Sequence, residues 1–328
     1  MIQLSIGVGI GAITFWWAIQ SLDLRLMVQT LLAASPLWII MALGCVLSVS
    51  GTKAARWGAL YGGSLPRVPF WELFSILVIS QMVNIIVPLR IGELVRLGMM
   101  KQAGHSNATT ISTIIVEKTL DLITAGLIAI ALVWLALAPP WLNQSASSLL
   151  LLGLIFLGGL LTLRWRRTQL EQWLVRFLTT SHIAPMPWRE KLLRMVHNLL
   201  NGLAPLTDKR IFIRLIFWTL LVWLFSVLTI LSLFLAFNLS LTVIVAIVLT
   251  LTLTFSNLAP VPGLVGVIHL LTVFVLGQYG VERTIAFGFG TVVHVIIVGP
   301  LLFIGSWSLW TRSTNLWPYF TTYLQDKA

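Results

Sequence analysis

An all-α, polytopic integral membrane fold is predicted by three observations. Charged residues are 9% of the 328-residue chain and hydrophobic residues 58%, with a mean hydropathy of +0.96. The apolar residues gather into continuous runs, such as 149–163 and 211–237. Runs like these suit helices crossing a hydrocarbon core of about 30 Å, whereas a β-barrel would alternate apolar and polar residues in short segments. The polar residues, finally, fall between the runs or at proline-glycine interruptions. The expected architecture is about seven to eight helices with one or two re-entrant or broken hairpins. It forms a single transmembrane domain over 1–328, with no soluble catalytic domain left over.

The elements follow in order from loop charge, since cytoplasmic loops carry excess Lys and Arg. Run 4–19 has neither a basic residue before it nor a small-residue cleavage pattern after it, so it reads as a retained helix. Run 36–51 follows and returns to the cytoplasm at Lys53. The loops 53–67 and 90–105 are both basic and both favour the cytoplasm, so the segment between them, 71–87, is expected to enter and return on one side. A plain spanning helix with one misplaced basic loop is the alternative. Helix 111–137 starts inside, placing Glu117, Lys118 and Asp121 in its cytoplasmic half. The uncharged connection 138–148 lies outside, and 149–163 runs inward.

Segment 164–210 carries nine Lys and Arg residues and anchors the topology on the cytoplasmic side. Leu170, Trp173, Leu174, Phe177 and Leu178 recur at helical spacing, as do Leu192, Leu193, Val196, Leu199, Leu200 and Leu203. Two amphipathic helices are therefore expected, either lying in the interface or packed as a hairpin on the bundle. Run 211–237 then goes out, 238–240 is an outer turn, and 241–258 meets Ala259-Pro260-Val261-Pro262-Gly263. These prolines forbid a continuous helix. Runs 265–278 and 284–310 follow, with both termini cytoplasmic in the cell inner membrane.

The net charge of +11 is scattered among loops, which fits anionic lipid headgroups better than nucleic acid. Cys45 is the only cysteine, so no intramolecular disulfide and no cysteine zinc cluster exists. There is no Gly-x-Ser-x-Gly elbow, no phosphate-cradling Gly-rich loop with Lys, no His-Glu-x-x-His and no Asp-x-Asp pair. No catalytic residue, cofactor or metal is expected.

Two constellations stand out. In Asn84-Ile-Ile-Val-Pro88-Leu-Arg90-Ile-Gly92-Glu93-Leu-Val-Arg96, Pro88 interrupts a helix, Asn84 can bond exposed backbone, and Gly92 allows close approach. Glu93 and Arg96 share a helix face three residues apart, leaving Arg90 for another anion. The arginine fork suits phosphate, and the bland alternative is a pair of snorkelling anchors. Glu117 and Asp121, four apart, need a cation, which Arg90 or Arg96 is expected to supply, and proton exchange by these acids would couple transport to a gradient. The second constellation is Asn257, Pro260, Pro262, Gly263, Gly266 and His269, an echo of the first break. Paired interruptions of this kind point to a midplane site in a transporter. His269 reads as a bonded core histidine or a proton sensor, and His294 as a core residue.

With these residues in place, the chain resembles the transmembrane domain of lysylphosphatidylglycerol synthases, a family of flippase-like membrane proteins. The resemblance rests on Asn84, on Pro88-x-Arg90-x-Gly92-Glu93-x-x-Arg96, on Glu117-Lys118-x-x-x-Asp121 where the family has Glu-Arg-x-x-x-Asp, on Pro262-Gly263 with Gly266, and on Arg56-Trp57. It implies eight or so helices with re-entrant segments and movement of a lipid across the bilayer. Synthase activity belongs to a separate soluble domain and is not carried over. Leu264 replaces a second family glycine, and His269 stands where the family has an acid.

The function expected is a flippase or transporter of an anionic phospho- or polyprenyl-linked lipid, with Arg90 and Arg96 on the phosphate. The alternatives are a membrane transferase acting on a lipid carrier, or a non-transporting partner in an envelope-lipid system. The partners expected are an anionic membrane lipid, and either a second copy of the chain or envelope-lipid synthesis enzymes.

Overall fold

A computed structural model describes residues 24–61, 67–87, 91–180, 186–256 and 261–325. Run 4–19, Pro88, Arg90, Asn257 and Pro260 lie outside the described residues. Everything described is helix, turn or loop, in keeping with the all-α class. Twelve α-helices are present among the described residues: α1 (Leu24–Leu32), α2 (Pro36–Leu60), α3 (Phe70–Ile86), α4 (Gly92–Gln102), α5 (Asn107–Trp134), α6 (Pro140–Trp165), α7 (Arg167–Thr180), α8 (Met186–Gly202), α9 (Lys209–Ala236), α10 (Val243–Ser256), α11 (Val267–Gly277) and α12 (Arg283–Gln325). Short 3-10 turns occupy Ala204–Leu206 and Pro262–Leu264.

That exceeds the seven to eight helices expected, because segments read as loops are helical. The basic stretch after run 36–51 is the end of α2, and most of 90–105 is α4. Segment 164–210 supplies α7 and α8, close to the two apolar repeats that predicted them. α2, α6, α9 and Arg283–Arg312 of α12 are long and apolar enough to cross a membrane. α3, α10 and Pro262–Gly277 are apolar but shorter. At 1.5 Å per residue the 17 residues of α3 reach about 26 Å, and the 14 of α10 about 21 Å, both short of the core thickness.

Several helices stop on the same chemistry. After α4, α5, α9 and α11, a residue at positive φ turns the chain: Gly104 (87°), Ala136 (53°), Asn238 (50°) and Gly280 (78°). Each is followed by an N–H that reaches back to a last-turn carbonyl, as His105 does to Met100 at 2.9 Å and Leu239 to Phe234 at 2.9 Å. At the other end of α5, Ser106 Oγ accepts from the Thr109 N–H at 3.0 Å, a side-chain cap.

The described residues form two compact units. One comprises those in Met1–Ser50, Phe74–Arg96 and Phe225–Ala328; the other comprises Gly51–Leu73 and Leu97–Leu224. In the second unit, α5 and α6 pack through glycine. A Cβ on Gly126 would lie 2.6 Å from the Leu150 backbone, and one on Gly153 would lie 3.1 Å from that of Ile123. These two contacts run in opposite senses along the chain, so the helices are antiparallel. Close backbone approach of this kind matters in lipid, where no hydrophobic drive brings helices together.

α8 lies on the first turns of α5. Ser112 Oγ donates to the Leu199 carbonyl at 2.7 Å, and a Cβ on Gly202 would meet Ser112 Cβ at 2.5 Å. In the first unit, α12 packs on α11, with Gly290 against Thr272, and on α3, where a Cβ on Gly305 would meet Met82 Cβ at 2.7 Å. Leu151, Leu154, Ile155 and Phe156 of α6 are exposed, an apolar face that water would not tolerate over such a length but lipid does.

Candidate functional site

In the second unit a polar ladder joins α2 to α5. Trp57 Nε1 donates to Thr113 Oγ1 at 3.1 Å, and Tyr61 Oη donates to Thr110 Oγ1 at 3.0 Å. Arg56 completes it: its Nη1 donates to Asp121 Oδ1 at 2.6 Å and to Thr219 Oγ1 at 3.3 Å, and Nη2 lies 3.8 Å from Glu117 Oε1. Arg56 is fully enclosed, at 0% exposure, while the Asp121 side chain keeps 27%. Lys118 Nζ stands 3.8 Å from Glu117 Oε1, and Lys53, one turn before Arg56, feels the charge of both carboxylates. Arg56 and Lys118 therefore meet two carboxylates, with Lys53 in electrostatic reach of both. Arg56 Nε and Nη2 find no hydrogen-bond acceptor among the described residues, and a buried guanidinium left with free donors calls for water or an anion oxygen.

Among the described residues Arg56 is a cation beside Glu117 and Asp121 that the sequence reading did not name, while Arg90 lies outside the described residues. The helix continues through Lys53 and Arg56 to Leu60 because the carboxylates offset the cost of burying the guanidinium. Periodicity could not reveal this, since Arg56 and Asp121 are 65 residues apart. The available signal was the Arg56-Trp57 pair in the family resemblance.

The register of α5 against α6 locates the two acids. With Gly126 opposite Leu150 and Gly153 opposite Ile123, Asp121 lies level with Ile155 and Glu117 level with Gly159. Glu117 is then about 9 Å along the axis from the level of Trp165. Glu117 sits in the half of α5 nearer the basic end of α6, which carries Arg164, and Asp121 sits at the middle of α5.

In the first unit the chain reverses after α3. Gly92 opens α4 and lies so close to α3 that a Cβ would collide with the Ser80 carbonyl oxygen and stand 2.6 Å from Asn84 Oδ1. Asn84 Oδ1 accepts the Gly92 N–H at 2.8 Å, satisfying the first free donor of α4. One face of α4 then carries Glu93 and Arg96, with Nη1 to Oε2 at 3.2 Å. Arg96 is 2% exposed and the Glu93 side chain 28%.

The second break belongs to the same unit. Val261 is extended, and Gly263 (68°), Leu264 (57°) and Gly266 (83°) all take positive φ before α11 starts. Leu264, where the family has glycine, adopts a left-handed conformation that costs a side chain roughly 1–2 kcal/mol, and its burial offsets this. His269 is buried against the Phe287 ring at 4.8 Å and the His294 ring at 5.4 Å, and the Gly263 backbone hydrogen-bonds His294. The meeting of the two histidines across α11 and α12 was not foreseen from sequence.

Buried ion pairs, lipid-facing apolar surfaces and helices interrupted at polar residues define a membrane-embedded, all-α protein. The profile of the lysylphosphatidylglycerol synthase TM region matches residues 4–305, and the chain belongs to that family. No curated protein and no solved structure matches it. The family places the chain in membrane-lipid biology.

Proposed function

We propose that this protein moves an anionic lipid, with a phospholipid or polyprenyl-phosphate headgroup, across the cytoplasmic membrane. In this reading the chain is multi-pass with both termini cytoplasmic, and α3 with α4 forms a re-entrant hairpin. The observation that carries it is a pair of arginines, Arg56 and Arg96, buried to 0% and 2% in a membrane-embedded chain, each braced by carboxylate. Charges at membrane depth are expensive and are kept where they serve a pathway. Arg96, with Arg90, engages the headgroup phosphate through the arginine fork, and Glu93 holds Arg96 in place.

Arg56 with Glu117 and Asp121 forms a second charged centre whose free N–H groups donate to water or to a phosphate oxygen. The short α3 and α10, each ending at a polar break, support a path lined by interrupted helices. Purified protein in liposomes carrying fluorescent phosphatidylglycerol or a polyprenyl phosphate tests the proposal. Wild type should flip at least one of them, and Arg96→Ala and Arg56→Ala should abolish it. Turnover of a donor substrate onto a lipid carrier without any flipping would replace transport with group transfer.

A further inference from the structure

We propose that the elbow between α6 and α7 is a separate binding site for the headgroup of an anionic phospholipid. A groove of about 570 Å³ opens there, lined by Leu161, Thr162, Arg164, Trp165, Thr168 and Thr207, with Arg167 on its wall. All of these residues belong to the second unit. Arg164 is half-buried and makes no hydrogen bond or ion pair with the described residues. A guanidinium held against the groove wall without a carboxylate is the group a phosphate oxygen would complete.

Arg167 is oriented by its neighbours: Nε donates to Glu171 Oε1 at 3.0 Å, and Nη2 lies 3.2 Å from His197 Nδ1. Its Nη1 makes no hydrogen bond among the described residues and keeps its donors for a further acceptor. Thr168 is exposed and adds a hydroxyl donor suited to a phosphate or glycerol oxygen, while Thr207 Oγ1 donates to the Ala204 carbonyl at 2.9 Å and offers its lone pairs.

Position argues for a lipid as the source of that phosphate. α6 is a 26-residue apolar helix, and the groove lies at its end, where Trp165 is 87% exposed. Exposed tryptophan beside arginine at the end of a span is the composition of the headgroup layer. Leu161, which lines the groove, and Leu154, two turns earlier on the same face of α6, are 39% and 49% exposed and offer a track for an acyl chain. A soluble phosphate would use the arginines and hydroxyls but not that track. The site is independent of the transport reading, since neither Arg56 nor Arg96 takes part.

The full chain in phosphatidylcholine nanodiscs, doped with phosphatidylglycerol bearing a photoactivatable headgroup, tests this directly. Cross-linked peptides should include residues 161–168 or 207, and the Arg164→Gln/Arg167→Gln variant should lose those adducts by about thirtyfold, as expected for two interfacial arginine–phosphate contacts. Because both side chains reach the surface, folding is checked by unchanged cross-links elsewhere. Adducts confined to other regions, or equal labelling of the variant, would overturn the site. Displacement by millimolar inorganic phosphate would assign it to a soluble anion and overturn the lipid.

Discussion

At the scale of single residues, charge pairs govern this protein, and they divide into local and distant ones. Glu93 and Arg96 are three apart on one helix, so their contact was readable from spacing. Arg56 and Asp121 come from separate helices, and nothing in the intervening sequence encodes their meeting. Removing one member of a buried pair typically costs about 3–5 kcal/mol because the other is left uncompensated. Arg56→Asp and Asp121→Arg are each expected to lower thermal stability in detergent sharply, and the double exchange should recover a good part of the loss. A double variant no more stable than either single change would show that the 2.6 Å contact contributes little.

At the scale of elements, glycine placement decides which helices can touch. Gly126 meets backbone, so even the methyl of Gly126→Ala forces α5 and α6 apart, at an expected cost of about 1–3 kcal/mol. Gly158, with open space around its Cβ position, serves as the control and should tolerate alanine. Equal melting temperatures for the two variants would contradict the packing described. α7 and α8 are held by a second device, a clasp of Glu171 with Arg167 and His197. Burial pushes the Glu171 carboxyl up, but the Arg167 hydrogen bond and charge, then those of His197, outweigh it and hold it below the usual range.

A depressed folded pKa means the clasp stabilises above the unfolded value of about 4.3 and loosens as pH falls through the folded one. With the Glu171 side chain 29% exposed, the effect is small, under about 1 kcal/mol. Protection factors for amide exchange in α7 and α8 should therefore fall on acidification, and Glu171→Gln should show the lower protection already at neutral pH. An acid response in that variant equal to wild type would point to another group. The boundaries of these two helices were legible because amphipathic repeats are local, whereas the helicity of 53–60 and 92–102 was hidden by their charge.

At the scale of the whole molecule, fold class and family were legible from composition and motif order, while sidedness depended on charges now seen to be partly interior. Lys53 and Arg56 stand on α2 beside carboxylates, so they contribute less to positive-inside bias than loop residues would. The re-entrant reading then rests more on the 17 residues of α3 and the reversal at Gly92. Single cysteines at Gly63 and Gly104 in a Cys45→Ser background report it. Both should label from the same face of sealed vesicles, and labelling from opposite faces would make α3 a spanning helix.

The antiparallel glycine seam between α5 and α6 also bears on how the chain is made. α5 carries Glu117, Lys118 and Asp121 and is a poor candidate for entering the bilayer alone. α6 follows after a short connection and is strongly apolar, so the two can partition as one hairpin, the later helix drawing in the earlier. Arg56 is synthesised 65 residues ahead of its partner Asp121 and can pair with it only once α5 is in place. Biosynthesis arrested before Trp165 should leave α5 accessible to protease on the side where synthesis occurs. Release of the full hairpin should protect it, so full protection of the arrested chain would mean that α5 inserts unaided.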